Sequence, residues 1–198
     1  ELINYSIVIY GEQNVKFSNK SVVKDVSIFL RERFKNLLKD KKIRNDIIEA
    51  VDASHVDDDF FTLYKKCSII NKNIAKDICK NIIATYKRAS NIIDQELKSN
   101  KEKIVGQPES FLFKKDEEKR LFNKINEIQK YFSNTRKHES YDETLKILAE
   151  AKPTTDNFFD NVIVNDENLD IKKNRLELLQ MFCKTYNSFI DFSKVEGA

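Results

Sequence analysis

The chain is poor in the residues that make tight turns: its 198 residues include only 3 Gly and 2 Pro. A multi-stranded sheet needs such residues at nearly every hairpin, so the composition points to helices. The three cysteines, Cys67, Cys79 and Cys183, form no Cys-x-x-Cys pair. They fall at apolar helical positions and read as core residues of a reducing compartment, without a disulfide framework or zinc site. The only histidines, His55 and His138, lie in separate polar links and make no metal-binding spacing. No Gly-rich phosphate loop or Gly-x-Ser-x-Gly elbow is present, so no ATP-using or acyl-transfer site is legible. No apolar run approaches the ~18 residues of a membrane span, and no signal peptide is visible. A first residue of Glu rather than Met fits a fragment or a processed product.

What the chain does have is charge. Charged residues make up 34% and hydrophobic ones 40%, a mixture suited to helices with one buried stripe and a broad solvated face. The net charge of +3 is small, but it is unevenly spread. Residues 62–103 carry ten bases and four acids, whereas residues 139–198 carry seven bases and twelve acids. A middle segment of +6 beside an end of −5 is the asymmetry expected where one face meets a polyanion. The competing reading is a lysine-rich face that is simply solvated.

At this length one domain, residues 1–198, is expected. Residues 1–10 alternate partly like a strand, but no second such run is available to pair with them. Val22, Val23, Val26, Phe29, Leu30, Phe34, Leu37 and Leu38 follow helical spacing, predicting a helix over about 21–40. A short helix is expected over 44–53, with Ile47, Ile48 and Val51 inward. The Asp57-Asp58-Asp59 run would cap the next helix, 60–71. A longer helix over about 74–97 would bury Ile74, Ile78, Ile82, Tyr86, Ala89 and Ile93. Residues 98–109 contain Gly106 and Pro108 and read as a long internal loop. Helices over 116–132, 141–151 and 169–191 complete an all-α bundle.

Two basic clusters are candidate anion sites. On the long helix Lys87, Arg88 and Asn91 are three and four residues apart and share a face. Two cations and an amide could hold a phosphate and read a base edge; alternatively the cations are solvated and Asn91 anchors a loop. Lys172, Lys173 and Arg175 gather at the start of the closing helix, where positive charge opposes the dipole and calls for a nearby anion. Either RNA phosphate or Asp166, Glu167 and Asp170 could supply it, and for Arg175 an internal ion pair with these acids is expected ahead of an RNA contact. Phe158 and Phe159 could stack bases, but a Phe-Phe pair between Asp156 and Val162 is expected in the core, each worth roughly 3 to 5 kcal/mol if fully enclosed.

Three motifs occur in a recognisable order. Pro153, Phe158-Phe159-Asp160, Val162 and Val164, followed by Asn174-Arg175-Leu176-Glu177-Leu178-Leu179, match a pattern Pro-x-x-x-x-Phe-Phe-Asp-x-Val-x-Val and then Asn-Arg-Leu-x-Leu-Leu. Upstream stand Lys87-Arg88-Ala89-Ser90-Asn91-Ile92 and, more weakly, Phe29-Leu30-Arg31-Glu32-Arg33-Phe34. In this order the chain resembles the C-terminal anticodon-binding region of the beta subunit of bacterial two-subunit glycyl-tRNA synthetase, over nearly its whole length. The resemblance implies a helix at residues 1–10 and an all-α bundle of the class named for an Asp-Ala-Leu-Arg signature, which this chain does not carry literally, having Leu169-Asp170-Ile171-Lys172 nearby.

It further implies a non-catalytic, cytoplasmic tRNA-binding segment that positions tRNA-Gly through its anticodon arm. The implied RNA contacts are drawn from Lys87, Arg88, Asn91, Lys172, Lys173 and Arg175. The partners implied are the remainder of the beta subunit and the alpha subunit, without a membrane. The segment would hold no cofactor, ATP and magnesium serving glycylation at the alpha subunit. A helical protein-protein module without RNA contact is the other reading.

Overall fold

A computed structural model describes residues 2–15, 18–54, 59–100, 104–134 and 140–196, with Asn100 described for its backbone alone. His55, Asp57, Asp58 and His138 lie outside the described residues. Nine α-helices and two short 3-10 turns occur among those described, and no strand, so the all-α expectation holds. The helices are α1 (Leu2–Glu12), α2 (Val22–Asp40), α3 (Asn45–Ser54), α4 (Phe60–Asn73), α5 (Asp77–Asn100), α6 (Asp116–Asn134), α7 (Tyr141–Ala149), α8 (Lys152–Asn161) and α9 (Leu169–Asn187). The 3-10 turns are Ser110–Leu112 and Phe192–Lys194.

Where one domain was expected, the backbone divides into two compact units, 1–43 and 44–198. The first holds α1 and α2. Helix α1 buries none of its residues, and on α2 Phe29, Leu30 and Leu37 of the expected inward stripe are exposed, with Leu38 buried. An apolar stripe at helical spacing predicts the helix correctly but does not say whether anything covers it.

The second unit is built around α5 and α9. Helix α9 packs on α5 and α6, α8 on α6 and α5, and α7 on α5 and α4. Tyr86 of α5 joins Phe182, Tyr186 and Phe192 in an aromatic cluster, with the Phe182 and Tyr186 rings 4.3 Å apart and Tyr86 5.8 Å from Phe192. Each buried hydroxyl in it has a partner: Tyr186 donates to the Leu148 carbonyl at 2.7 Å, and Tyr86 accepts from Asn187 Nδ2 at 3.0 Å. That satisfaction lets two phenols sit in an apolar centre without an orphaned dipole.

Local chemistry sets the helix ends. Asp59 accepts from the backbone N–H of Phe61 and Thr62, which caps α4 as the acidic run suggested. Asn168 accepts from Asp170 and Ile171 and caps α9. Helix α8 is absent from the periodicity reading: it has ten residues, Pro153 in its first turn and mostly short polar side chains, so only Thr155 and Phe158 mark a buried face. The expected loop at 98–109 is shortened, because α5 continues through Asn100. The closing helix stops at Asn187 rather than Asp191, and the chain then makes its 3-10 turn.

Cys67, Cys79 and Cys183 are all buried and free. Burial pushes their thiols up to about 12, 11 and 12 respectively. The thiolate is the reactive form, so a thiol reagent at pH 8 should label none of them in the native state and all three in guanidinium. Rapid native labelling would show that the core around α4, α5 and α9 opens.

Candidate nucleic-acid interface

Helix α5 carries the aromatic cluster on one side and a polar stripe on the other. Lys80, Ala84, Arg88, Asn91, Gln95 and Lys98 are exposed, spaced at three or four residues, with Lys87 half-buried beside them. At 1.5 Å per residue the stripe from Lys80 to Lys98 runs for about 27 Å. Lys87 and Asn91 have no side-chain hydrogen bond or ion pair among the described residues. Both are available to a ligand.

Arg88 is held. Its guanidinium lies over the Phe159 ring, 4.4 Å from the centroid, and reaches Asp160 at 3.7 Å. The Lys-Arg motif of α5 and the Phe-Phe-Asp motif of α8 therefore meet in space, although 71 positions separate Arg88 from Phe159. The ion pair is largely exposed on both sides and easily exchanged for another anion. The stack does something the pair does not: it fixes the plane of the fork while leaving its N–H edge open.

The second basic cluster is dispersed. Lys172 turns toward α5 and pairs with Glu96 at 2.8 Å, both side chains mostly enclosed. With Ile92, Gln95, Ser99 and Val164 they line a cavity of about 370 Å³ between α5 and α9. Lys173 points the other way, 69% exposed, with Glu177 4.0 Å from its ammonium.

Arg175, drawn among the implied RNA contacts, is instead internal, as the acids beside it in sequence suggested. It is 4% exposed and donates to Glu118 Oε1 at 2.9 Å, to the Ile163 carbonyl at 2.8 Å and to Asp166 Oδ2 at 2.7 Å. Glu118, wholly buried, also accepts from the backbone N–H of Lys114 and Lys115 at 2.8 and 2.7 Å, closing the start of α6. Asp166 stands below the ordinary carboxylate range, first because the Asn168 N–H bonds it and then because of Arg175.

The neighbouring Asn174 is just as internal. Its side-chain oxygen accepts from the Glu109 N–H at 2.7 Å, and its amide donates to the Glu109 carbonyl at 3.2 Å. The Asn-Arg pair is thus a double clip, one residue holding the segment before α6 and the other holding α6 to the turn before α9.

Sequence reasoning named Asp166 as a partner for the second cluster but missed Glu96 and Glu118, which are distant in the chain. A capping signal existed for Glu118: it occupies the third position of α6, where a carboxylate can return to the backbone that precedes the helix. Nothing local marks Glu96. Among the described residues no group of three or more His, Cys, Asp or Glu could hold a metal ion, and no helix is long and apolar enough to cross a membrane.

Residues 82–193, from the second turn of α5 to the last 3-10 turn, match the model of the DALR anticodon binding domain. The chain is similar over almost all its length to proteins named glycine-tRNA ligase beta subunit. That of Clostridioides difficile (strain 630) is 30% identical over 194 residues, covering 98% of this chain and 27% of the relative. That of Sulfurihydrogenibium sp. (strain YO3AOP1) is 31% identical over 191 residues, covering 94% and 27%. That of Rickettsia canadensis (strain McKiel) is 32% identical over 195 residues, covering 98% and 27%. The chain spans about a quarter of the length of these relatives.

Proposed function

Because the chain belongs to the DALR anticodon binding domain family, we propose that it is the tRNA-docking region of a glycyl-tRNA synthetase beta subunit, and that the outer face of α5 meets the RNA. The observation that carries this reading is that the matched domain begins within α5 and includes its open Lys87 and Asn91 and its stacked Arg88. Lys87 and Arg88 neutralise phosphates and set register; Asn91, an amide with both donor and acceptor, contacts a base or ribose of the anticodon arm. Arg88 exchanges Asp160 for a phosphate oxygen without leaving the Phe159 ring. Lys172, within the same cavity wall as Glu96, supports the edge of this surface rather than its centre.

The whole enzyme charges tRNA-Gly with glycine in the cytoplasm, using ATP and magnesium at its alpha subunit. This region contributes position and not chemistry. The remainder of the beta subunit is its covalent partner, and the exposed Leu2, Tyr5 and Val8 of α1 and Phe29 of α2 are the apolar surface such a partner would cover.

Titration of the chain with tRNA-Gly between 50 and 200 mM salt tests the reading. Lys87→Ala with Arg88→Ala should weaken binding of cognate and noncognate tRNA alike and lower the log-log salt slope by nearly one for each phosphate no longer neutralised. An unchanged affinity and slope in the folded double variant would remove α5 from the interface.

A further inference from the structure

On the opposite side of α9 from Lys172, the segment 105–112 and the first turns of α9 enclose a hollow of about 460 Å³. Its wall includes a carboxylate that accepts no hydrogen bond among the described residues. The Glu177 side chain is 8% exposed, yet among the described residues no N–H or O–H is within hydrogen-bonding distance of it, and Lys173 stands 4.0 Å away in solvent. A buried carboxylate without donors is costly. Burial holds its carboxyl above the ordinary range, Lys173 offsets part of that, and the nearby Glu109 adds to it.

The surroundings are built to keep Glu177 where it is. Gly106 has φ +142°, a conformation reserved for glycine, and a Cβ there would come within 2.2 Å of Glu177 Oε1. The Asn174 clip on Glu109 fixes the same segment from its other end. The carboxylate therefore lies against a backbone that can neither carry a side chain nor easily move aside. At the rim Phe111, 76% exposed, and Val105 offer an apolar surface, Lys173 offers a solvent-facing cation, and Asp170 and Glu109 add two further carboxylates to the lining.

An acid wanting donors, an exposed ring and a flexible cation around one hollow match the three parts of an unstacked nucleotide: base edge, base face and phosphate. We propose that this hollow takes one unpaired base of a single-stranded RNA segment, with Glu177 accepting from its amino group, Phe111 stacking on its face and Lys173 meeting its phosphate. Guanine suits Glu177 best, because its ring N–H and amino group are adjacent donors for the two carboxylate oxygens; cytosine offers its amino group alone. Uracil is rejected, since its one N–H is flanked by two carbonyls whose lone pairs face the carboxylate. The proposal rests on the RNA-binding reading and adds to it a base-selective site, distinct from α5.

The probes are four seven-nucleotide RNAs of sequence UUUXUUU, differing only in the central base, titrated into the full chain at low salt by fluorescence anisotropy. The G-centred RNA should bind roughly tenfold more tightly than the U-centred one, with C between them. Glu177→Gln, which keeps the shape and replaces the acceptor pair by one donor and one acceptor, should bring the four RNAs within about twofold of one another at unchanged melting temperature. Phe111→Ala should weaken all four alike. Equal binding of the four RNAs by the native chain, or a base preference that survives Glu177→Gln, overturns this site while leaving α5 as an RNA surface. No binding of any RNA, tRNA-Gly included, overturns both.

Discussion

Replacing Arg175 by Ala should destabilise the folded chain by about 3–5 kcal/mol, the cost of leaving a buried charge without its partner. The charge in question is Glu118, fully enclosed and left with two backbone N–H groups but no cation. The Ile163 carbonyl loses its donor in the same stroke. Asp166 recovers some of its loss from water, being about a third exposed. Urea unfolding followed by circular dichroism reads the effect directly. Glu118→Ala should be comparably damaging, and the double variant should cost far less than the sum, because the second removal strips an already broken pair. Under conditions where Arg175→Ala remains folded, its tRNA affinity should keep the native salt slope. Native stability with a flattened slope would restore Arg175 as an RNA contact.

The two adjacent phenylalanines should separate by several-fold in energy. Phe158 is completely buried, on the face of α8 that meets α6 and α5, so Phe158→Ala should cost about 3–5 kcal/mol. Phe159 is only half-buried and spends its face on the Arg88 guanidinium, so Phe159→Ala should cost on the order of 1 kcal/mol. Its larger effect should be functional: with the ring gone Arg88 regains its torsional freedom, and tRNA binding weakens at nearly unchanged melting temperature. Equal losses of stability in the two variants would put both rings in the core, as the sequence pattern alone suggests.

That contrast marks the limit of what the residues declare. Apolar spacing located α2 to α7 and α9 because a helix with one buried stripe repeats its apolar residues every three or four positions. It did not find α8, whose buried face is two side chains, nor foresee that Phe29, Leu30 and Leu37 would be exposed, since spacing carries no information about the partner. The α5 cluster was legible as three side chains on one face. Its coupling to Phe159 was not, because that depends on how α8 lies against α5. Arg175 and Glu177 differ in how much the sequence declares. The internal ion pair of Arg175 with Asp166 was legible from their closeness, but its second acid, Glu118, is 57 residues away, while Glu177 sits at the unspecified place of the Asn-Arg-Leu-x-Leu-Leu pattern and carries no local signal.

The residues flanking one turn of α5 face opposite worlds: Tyr86 is pinned in the aromatic cluster and bonded to Asn187, and the very next positions, Lys87 and Arg88, form the outer stripe. Their backbone is therefore immobilised by the core before any ligand arrives. A ligand on this face freezes side-chain torsions alone, and for Arg88 the Phe159 stack has restricted most of those already. Association there avoids the ordering entropy of a coupled folding event, and with little apolar surface to bury it carries only a shallow heat-capacity change. The core of the second unit thus determines how sharply its surface can discriminate: rigidity donated by Tyr86 from within becomes selectivity without.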